Sequence, residues 1–448
     1  MELKYVSGKV SLISVFGGGI VIILSFLCVL ELLVLACFNR LVEGVSLSAV
    51  WWMGDYLEIS LISLTVFIVI TSLICSDEDF NVDGSWSSFC LCVVLIGLSC
   101  VLFFGCADFF FFFFFFEFSL VPTAVLILGW GYQPERLQAG LQMVIYTVCG
   151  SLPFMVLLSS LWLYNGSDSM VLLSLVGENI AGEYLVFWFL LLVGMLVKVP
   201  VFVVHGWLPK AHVEAPLSGS MMLAGVLLKL GIYGICRVIW CLGSPPLLLV
   251  YGLMMVSLWG GVVCSFLCLC FHDVKSVIAY SSIAHMSLSL GGILTLVNLG
   301  WMGGICMALA HGVCSPCLFG LANYTYMGTG SRSILLCKGV LKSLPSLSAM
   351  WFIFCAINLG CPPSINFFSE CFLFCSLMGF SYFLIVPLFL MCFLAAGYSL
   401  FLYSSVNHGY QSVAVLTFPG LSVRFLSCMV VSALILFGLF IMLGVVFL

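Results

Sequence analysis

Thirteen stretches of this chain, each about 20 residues or longer, carry almost no charge, and that recurrence limits the fold more than any single motif. A helix needs about 20 apolar residues to cross the hydrocarbon of a bilayer. There it satisfies its own backbone hydrogen bonds, which few other structures can do. The runs cover 10–38, 57–75, 88–106, 108–130, 138–163, 182–209, 217–241, 246–270, 274–298, 300–327, 346–380, 381–403 and 424–446. Pro200 interrupts the sixth run and Pro362–Pro363 the eleventh, because proline removes a backbone donor and breaks a helix. The predicted fold is therefore all-α, a polytopic transmembrane helical bundle of about thirteen spans. Only 7% of the 448 residues are charged, against about a quarter in soluble domains. Such a chain cannot clothe a water-facing surface, and it has too few Lys and Arg for a nucleic-acid face.

Charge placement orients the bundle. The N-terminal segment and the connections after even-numbered spans hold Lys4, Lys9, Arg136, Lys210, Lys275, Arg332, Lys338, Lys342 and Arg424. The connections after odd-numbered spans hold only Arg40 and Arg237. Lys and Arg accumulate on the side from which a membrane protein is inserted, so this even face, with the N-terminus, is the inner one. The N-terminal apolar run follows two lysines and has no small-residue cleavage site, so it is expected to stay on the chain.

The most informative stretch is 194–237, GMLVKVPVFVVHGWLPKAHVEAPLSGSMMLAGVLLKLGIYGICR. Lys198 and Lys229 each lie inside an apolar run, and Pro200 breaks the helix beside the first. Lys198 is near enough to a helix end to reach the interface along its own stem. Lys229 has no such escape, since Met221 to Leu228 before it and Leu230 to Ile232 after it are uncharged. A buried charge, a helix break and a second buried charge form the pattern of an ion path.

Other polar residues extend that pattern. Glu117 follows eight consecutive phenylalanines, and a lone carboxylate there needs a cation or a proton; Lys198 is the candidate cation. His285 and His311 lie inside the ninth and tenth spans. A single membrane histidine is often a helix–helix hydrogen bonder, but two on successive spans suit a proton relay, and Ser281 and Ser282 are placed to hold a water beside the first. Glu370 follows the second helix break and is expected to take part. His205, where the sixth span ends, is read as lining the path. His212, Glu214 and Lys210 are read as structuring the loop, and Asp273 with Lys275 as a surface ion pair. Glu31, Glu58, Glu178 and Glu183 are expected at the interface. The 23 cysteines fall mostly in apolar runs, where Cys behaves as a small hydrophobe. Cys314 and Cys317 have redox spacing but no second pair at metal-site spacing, so no metal site is expected.

Several strings resemble the antiporter-like membrane subunits of respiratory complex I. They are FFEFSLVPT (115–123), GYQPERLQAG (131–140), KVPVFVVHGWLPKAHVEAPLSGS (198–220), LLKLGIYG (227–234), HDVKSVIAYSSIAHM (272–286), LAHGVCSPCLFGLAN (309–323) and CPPSINFFSE (361–370). They run in order from Phe115 to Glu370, while the first hundred and last seventy residues match in hydropathy alone. Family members usually have fourteen spans, so this chain is expected to lack the first; the alternative is a tight pair of helices within 10–38. The resemblance implies a proton-translocating subunit of NADH:ubiquinone oxidoreductase in the mitochondrial inner membrane, with its N-terminus in the matrix. It also implies a buried Glu117–Lys198 pair and neighbouring antiporter-like subunits as partners, with NADH and ubiquinone handled elsewhere in the complex. No dinucleotide or phosphate-binding motif and no cluster-binding cysteine set is present, so no cofactor is expected on this chain. A stand-alone cation/proton antiporter shares the same core and is the alternative; a purely structural anchor leaves the buried charges unexplained.

The positions repeat. Glu117 and Lys198 lie on the fourth and sixth spans, His285 and Glu370 on the ninth and eleventh, and five spans separate the members of each corresponding pair. An odd number of spans inverts topology, which predicts two inverted five-helix repeats. Three regions are expected: N-terminal membrane helices (1–107), a first half (108–270) and a second half (274–446). Lys229, His285 and His311 would then connect the two halves and end at Glu370.

Overall fold

The computed structural model describes residues 54–76, 86–176, 184–410 and 422–441. The first predicted span, with Glu31, lies outside these residues, as do Lys4, Lys9, Arg40, Glu178 and Glu183. Among the described residues the chain is helical, and its only β contacts are two isolated bridges. Helices α1 (Tyr56–Cys75) and α2 (Trp86–Gly105) lead into α3 (Phe109–Phe118) and α4 (Leu120–Trp130), which follow each other across Ser119. Next come α5 (Arg136–Asn165), a short α6 (Met170–Val176), α7 (Leu185–Lys198) and α8 (Trp207–Glu214). Then α9 (Leu217–Met222) widens into a π segment (Leu223–Leu227) and continues as α10 (Leu228–Leu242). Helices α11 (Leu247–Cys270), α12 (Val274–Leu294), α13 (Asn298–Thr329) and a short α14 (Val340–Ser343) follow. The chain closes with α15 (Pro345–Asn358), α16 (Ile365–Phe380), α17 (Ile385–Asn407) and α18 (Val423–Ile441). Ten of the described rods are long and apolar enough to cross a membrane.

Both predicted breaks are present. Helix α7 stops at Lys198, and the chain turns through Val199–Gly206 before α8. Helix α15 stops at Asn358, and the chain turns through Leu359–Ser364 before α16. Each half-helix is too short to cross alone, at 1.5 Å per residue.

A set of local features occurs twice. Phe109 N–H bonds Asp168 C=O and Met170 N–H bonds Ala107 C=O; one half later Val274 N–H bonds Arg332 C=O and Ile334 N–H bonds His272 C=O. The long helices α5 and α13 each contain one proline, Pro153 and Pro316, and each ends on a left-handed glycine, Gly166 (φ 71°) and Gly330 (φ 65°). Each is followed by a bridge, an excursion and then a broken helix. The same features thus recur in the same order along the chain.

The connections also sort by face. Those after the fourth, sixth, eighth and tenth spans gather together: Arg332 Nη1 lies 3.7 Å from Glu214 Oε1, Lys275 Nζ donates to Ala215 C=O at 3.3 Å, and Tyr132 packs on Tyr326. Lys275 is buried rather than on the surface, which corrects its reading as part of a surface pair. Arg237 also departs from expectation. It is buried in the last turns of α10 and not in a connection. There it donates to Asp55 and to the Tyr233 hydroxyl, and Glu58 lies 4.0 Å away, itself fully buried rather than interfacial. Tyr233 in turn donates to the carbonyl of Phe104 at the end of α2. A last-turn carbonyl has no partner within its own helix, so this phenol caps α2 and ties three elements at the odd face.

Candidate functional site

The site grows from a defect in one helix. In the π segment the regular i-to-i−4 register slips, and the carbonyl of Ala224 accepts a hydrogen bond from Lys229 Nζ at 2.7 Å. Lys229 is wholly buried. Its Nζ also lies 3.1 Å from Nδ1 of His311 on α13. That approach depends on two glycines. A Cβ on Gly225 would stand 2.4 Å from Ile68 Cδ1 and 3.1 Å from Pro316 Cγ, and one on Gly312 would stand 2.7 Å from Leu64 Cδ2 and 3.2 Å from the Gly225 carbonyl. Two backbones in contact bring the side chains beside them into hydrogen-bond range.

From His311 the file continues. The His285 ring on α12 lies 5.8 Å away, centroid to centroid. His285 Nδ1 is 3.7 Å from Glu370 Oε1, and its Nε2 is 3.3 Å from the Tyr398 hydroxyl. The Asn358 side chain, at the last residue before the second break, faces His285. Ser315 donates back to the His311 carbonyl at 2.8 Å. The Ser281 and Ser282 hydroxyls each donate to a carbonyl of their own helix. The break is shaped around the carboxylate: Gly360 has φ 81°, and a Cβ there would meet Glu370 Oε2 at 2.7 Å. A cavity of about 30 Å³, bounded by His285, Glu370 and Tyr398 among others, lies beside them. It has room for a water.

Buried Lys229, His311 and His285 thus form a file that ends at the largely covered Glu370 (12% exposed), across four helices. The other expected members stand apart from it. Lys198 is buried and bonds the Phe116 carbonyl at 2.6 Å and Ser119 Oγ at 3.3 Å, with its ammonium 3.5 Å from the centre of the Phe116 ring. The expected Glu117–Lys198 ion pair is not made. Glu117 Oε1 is buried without a hydrogen-bond partner, and the carboxylate acts on Lys198 only through space. His205 stacks on Phe202 and meets the edge of Tyr280, with Nδ1 buried and unpartnered. Cys314 and Cys317 point to Phe354 C=O and Ser432 Oγ and serve packing. Among the described residues no group of His, Cys, Asp and Glu has the geometry of a metal site.

Sequence reading missed Tyr398, Asn358 and the Ala224 carbonyl. A tyrosine in the twelfth span gives no signal, whereas a polar Asn one step before a helix break could have been noticed. Arg237 could have been found as well, since Val238 to Trp240 after it are apolar.

Residues 106–395 match the family model described as NADH:quinone oxidoreductase/Mrp antiporter, transmembrane. The chain is 41% identical over 377 residues to NADH-ubiquinone oxidoreductase chain 4 of Ceratitis capitata, covering 84% of this chain and 83% of that one. It is 39% identical over 402 residues to the protein of the same name from Rhipicephalus sanguineus, covering 90% of each. Its fold is similar to a chain of respiratory complex I from Thermus thermophilus with bound NADH, at a TM-score of 0.83 and 22% identity over 96% of this chain and 90% of that one. The chain belongs to the NADH:quinone oxidoreductase/Mrp antiporter membrane family and, within it, to the NADH-ubiquinone oxidoreductase chain 4 group.

Proposed function

We propose that this multi-pass membrane protein moves protons as a subunit of a respiratory NADH:ubiquinone oxidoreductase. The observation that carries this reading is the contact of Lys229 with His311, continued through His285 to Glu370. Buried ionisable groups in hydrocarbon are costly, and those kept there face one another along a path. Lys229 gives a proton to Nδ1 of His311, and the opposite nitrogen releases one toward His285. His285 passes it to Glu370, and the amine of Lys229 is then reloaded from the even side. Where the separation exceeds direct reach, as at 3.7 Å between His285 and Glu370, a single water bridges the two groups. Asn358 and Tyr398 hold the imidazole of His285 in place for both transfers.

The recurring bridges, prolines and helix breaks support a division into two inverted halves, 108–270 and 274–446. The first half faces the even side, the second delivers to the odd side, and Lys198 with Glu117 modulates the charge near Lys229. Redox work falls to other subunits, this chain binds no cofactor, and neighbouring antiporter-like subunits flank it. The setting is the mitochondrial inner membrane, with the N-terminus in the matrix. Isolation from that membrane tests the reading. The chain should migrate with NADH-oxidising flavoprotein and iron–sulfur partners; recovery alone, with cation/proton exchange in vesicles, would instead mark an antiporter.

A further inference from the structure

The short helix α8 carries chemistry that the relay does not use. Within seven residues, four buried polar atoms lack a hydrogen-bond partner: both ring nitrogens of His212, Glu214 Oε2 and Ser218 Oγ. His212 is 0% exposed and lies flat on Phe319, with ring centres 4.5 Å apart and planes 9° from parallel. Stacking engages the face of the imidazole and leaves its nitrogens at the edge. Leaving a buried polar atom unbonded is costly, which favours water at these edges. On one side lies an even-face cavity of about 290 Å³, lined by Glu135, Gln138, Lys210, Glu214, Ser276 and Tyr280 among others. On the other, Phe319 belongs to α13, the helix that carries His311. The charges of Lys275 and Lys229 both act on the His212 ring, and the ring acts on His311. Glu214, two residues beyond His212, lines the cavity, while the Phe319 ring beneath the imidazole sits on the helix of His311.

We propose that His212 is the proton-transfer group that joins the even-face cavity to the Lys229–His311 pair. A hydronium ion in the cavity, or the protonated carboxyl of Glu214, gives its proton to one ring nitrogen, leaving water or a carboxylate. The opposite nitrogen releases its own proton toward the free amine of Lys229, which becomes an ammonium. The ring ends neutral with its tautomer exchanged, and reorientation resets it. The charged groups around the ring are Lys275 and Lys229, Lys210 and Glu214 on its own helix, Arg332 beside Glu214, and Glu135 across the cavity.

The inference rests on the relay reading, and the experiment separates the two. His212→Gln, His212→Phe and Lys229→Met are prepared in the whole complex and reconstituted in vesicles. Both His212 variants should assemble and keep electron transfer from NADH to an artificial acceptor. Coupled quinone reduction and proton pumping should fall at least about tenfold, as for loss of a positioned proton-transfer group, with a larger solvent deuterium isotope effect. His212→Phe keeps the stack on Phe319, so unimpaired pumping in either variant overturns the proposal. Full pumping in Lys229→Met would sink the relay itself, whereas loss there with full pumping in His212→Gln removes only His212. If neither His212 variant assembles, a high-resolution map of the unaltered complex decides. Ordered water on both ring nitrogens, continuous with the cavity, supports the assignment; a ring sealed by side chains ends it.

Discussion

Lys229 and His311 are 82 residues apart in the chain, yet Nζ of one lies 3.1 Å from Nδ1 of the other. No charge attraction explains that meeting, since both are basic groups in apolar surroundings. It is imposed by backbone contact between Gly225 and Gly312 and by the π turn that directs Lys229 toward the same point.

Lys229→Met should preserve assembly, because methionine fills nearly the same volume without a charge. Coupled NADH:quinone turnover should fall at least about tenfold, in line with removal of a proton-transfer group. Unchanged turnover and proton pumping would show that Lys229 only fills space.

Widening the helix contact should act without touching any ionisable group. Gly225→Val places atoms where Ile68 and Pro316 already stand, and overpacking of this kind costs about 1–3 kcal/mol. We expect lost pumping together with a lower melting temperature of the complex. Gly252→Ala, where a Cβ meets nothing within 4 Å, is the control and should behave as the unaltered chain.

Gly360→Ala examines the second break. Its φ of 81° disfavours a side chain, and the new Cβ would press on Glu370 Oε2 at 2.7 Å. A left-handed non-glycine residue costs about 1–2 kcal/mol, and the carboxylate should be displaced from His285. Activity should fall more than stability does, as measured by turnover against thermal unfolding. Equal turnover with Glu370 moved in the map would remove that carboxylate from the path.

Arg237→Met should destabilise without entering the relay. It strips Asp55 of its partner and leaves the Tyr233 hydroxyl with one bond fewer. Asp55 is 46% exposed, so its ion pair contributes about 1 kcal/mol or less, but Glu58 is left buried without its cation, a loss of about 1–3 kcal/mol that should appear as poor assembly of the subunit. Normal yield and melting would mean that water replaces the guanidinium.

Much was legible without coordinates. A run of twenty apolar residues has one stable form in a bilayer, so the all-helical bundle, its breaks at Pro200 and Pro362–Pro363, and the candidates Lys229, His285, His311 and Glu370 were readable from composition and position. A charge in such a run is conspicuous because everything around it is apolar. Facing is another matter. A helix that is apolar all round has no amphipathic stripe to orient it, and the run of phenylalanines shows why. Eight identical residues contain no information about direction, yet Phe109, Phe112 and Phe116 are buried while Phe111 and Phe114 are exposed. Only packing decided that Lys198 takes a backbone carbonyl in place of Glu117, that Arg237 lies inside the bundle, and that Tyr398 and Asn358 hold His285. Those choices depend on which helices approach closely enough to touch, and in this chain close approaches are made at glycines such as Gly225 and Gly312, whose partners lie far away in the sequence.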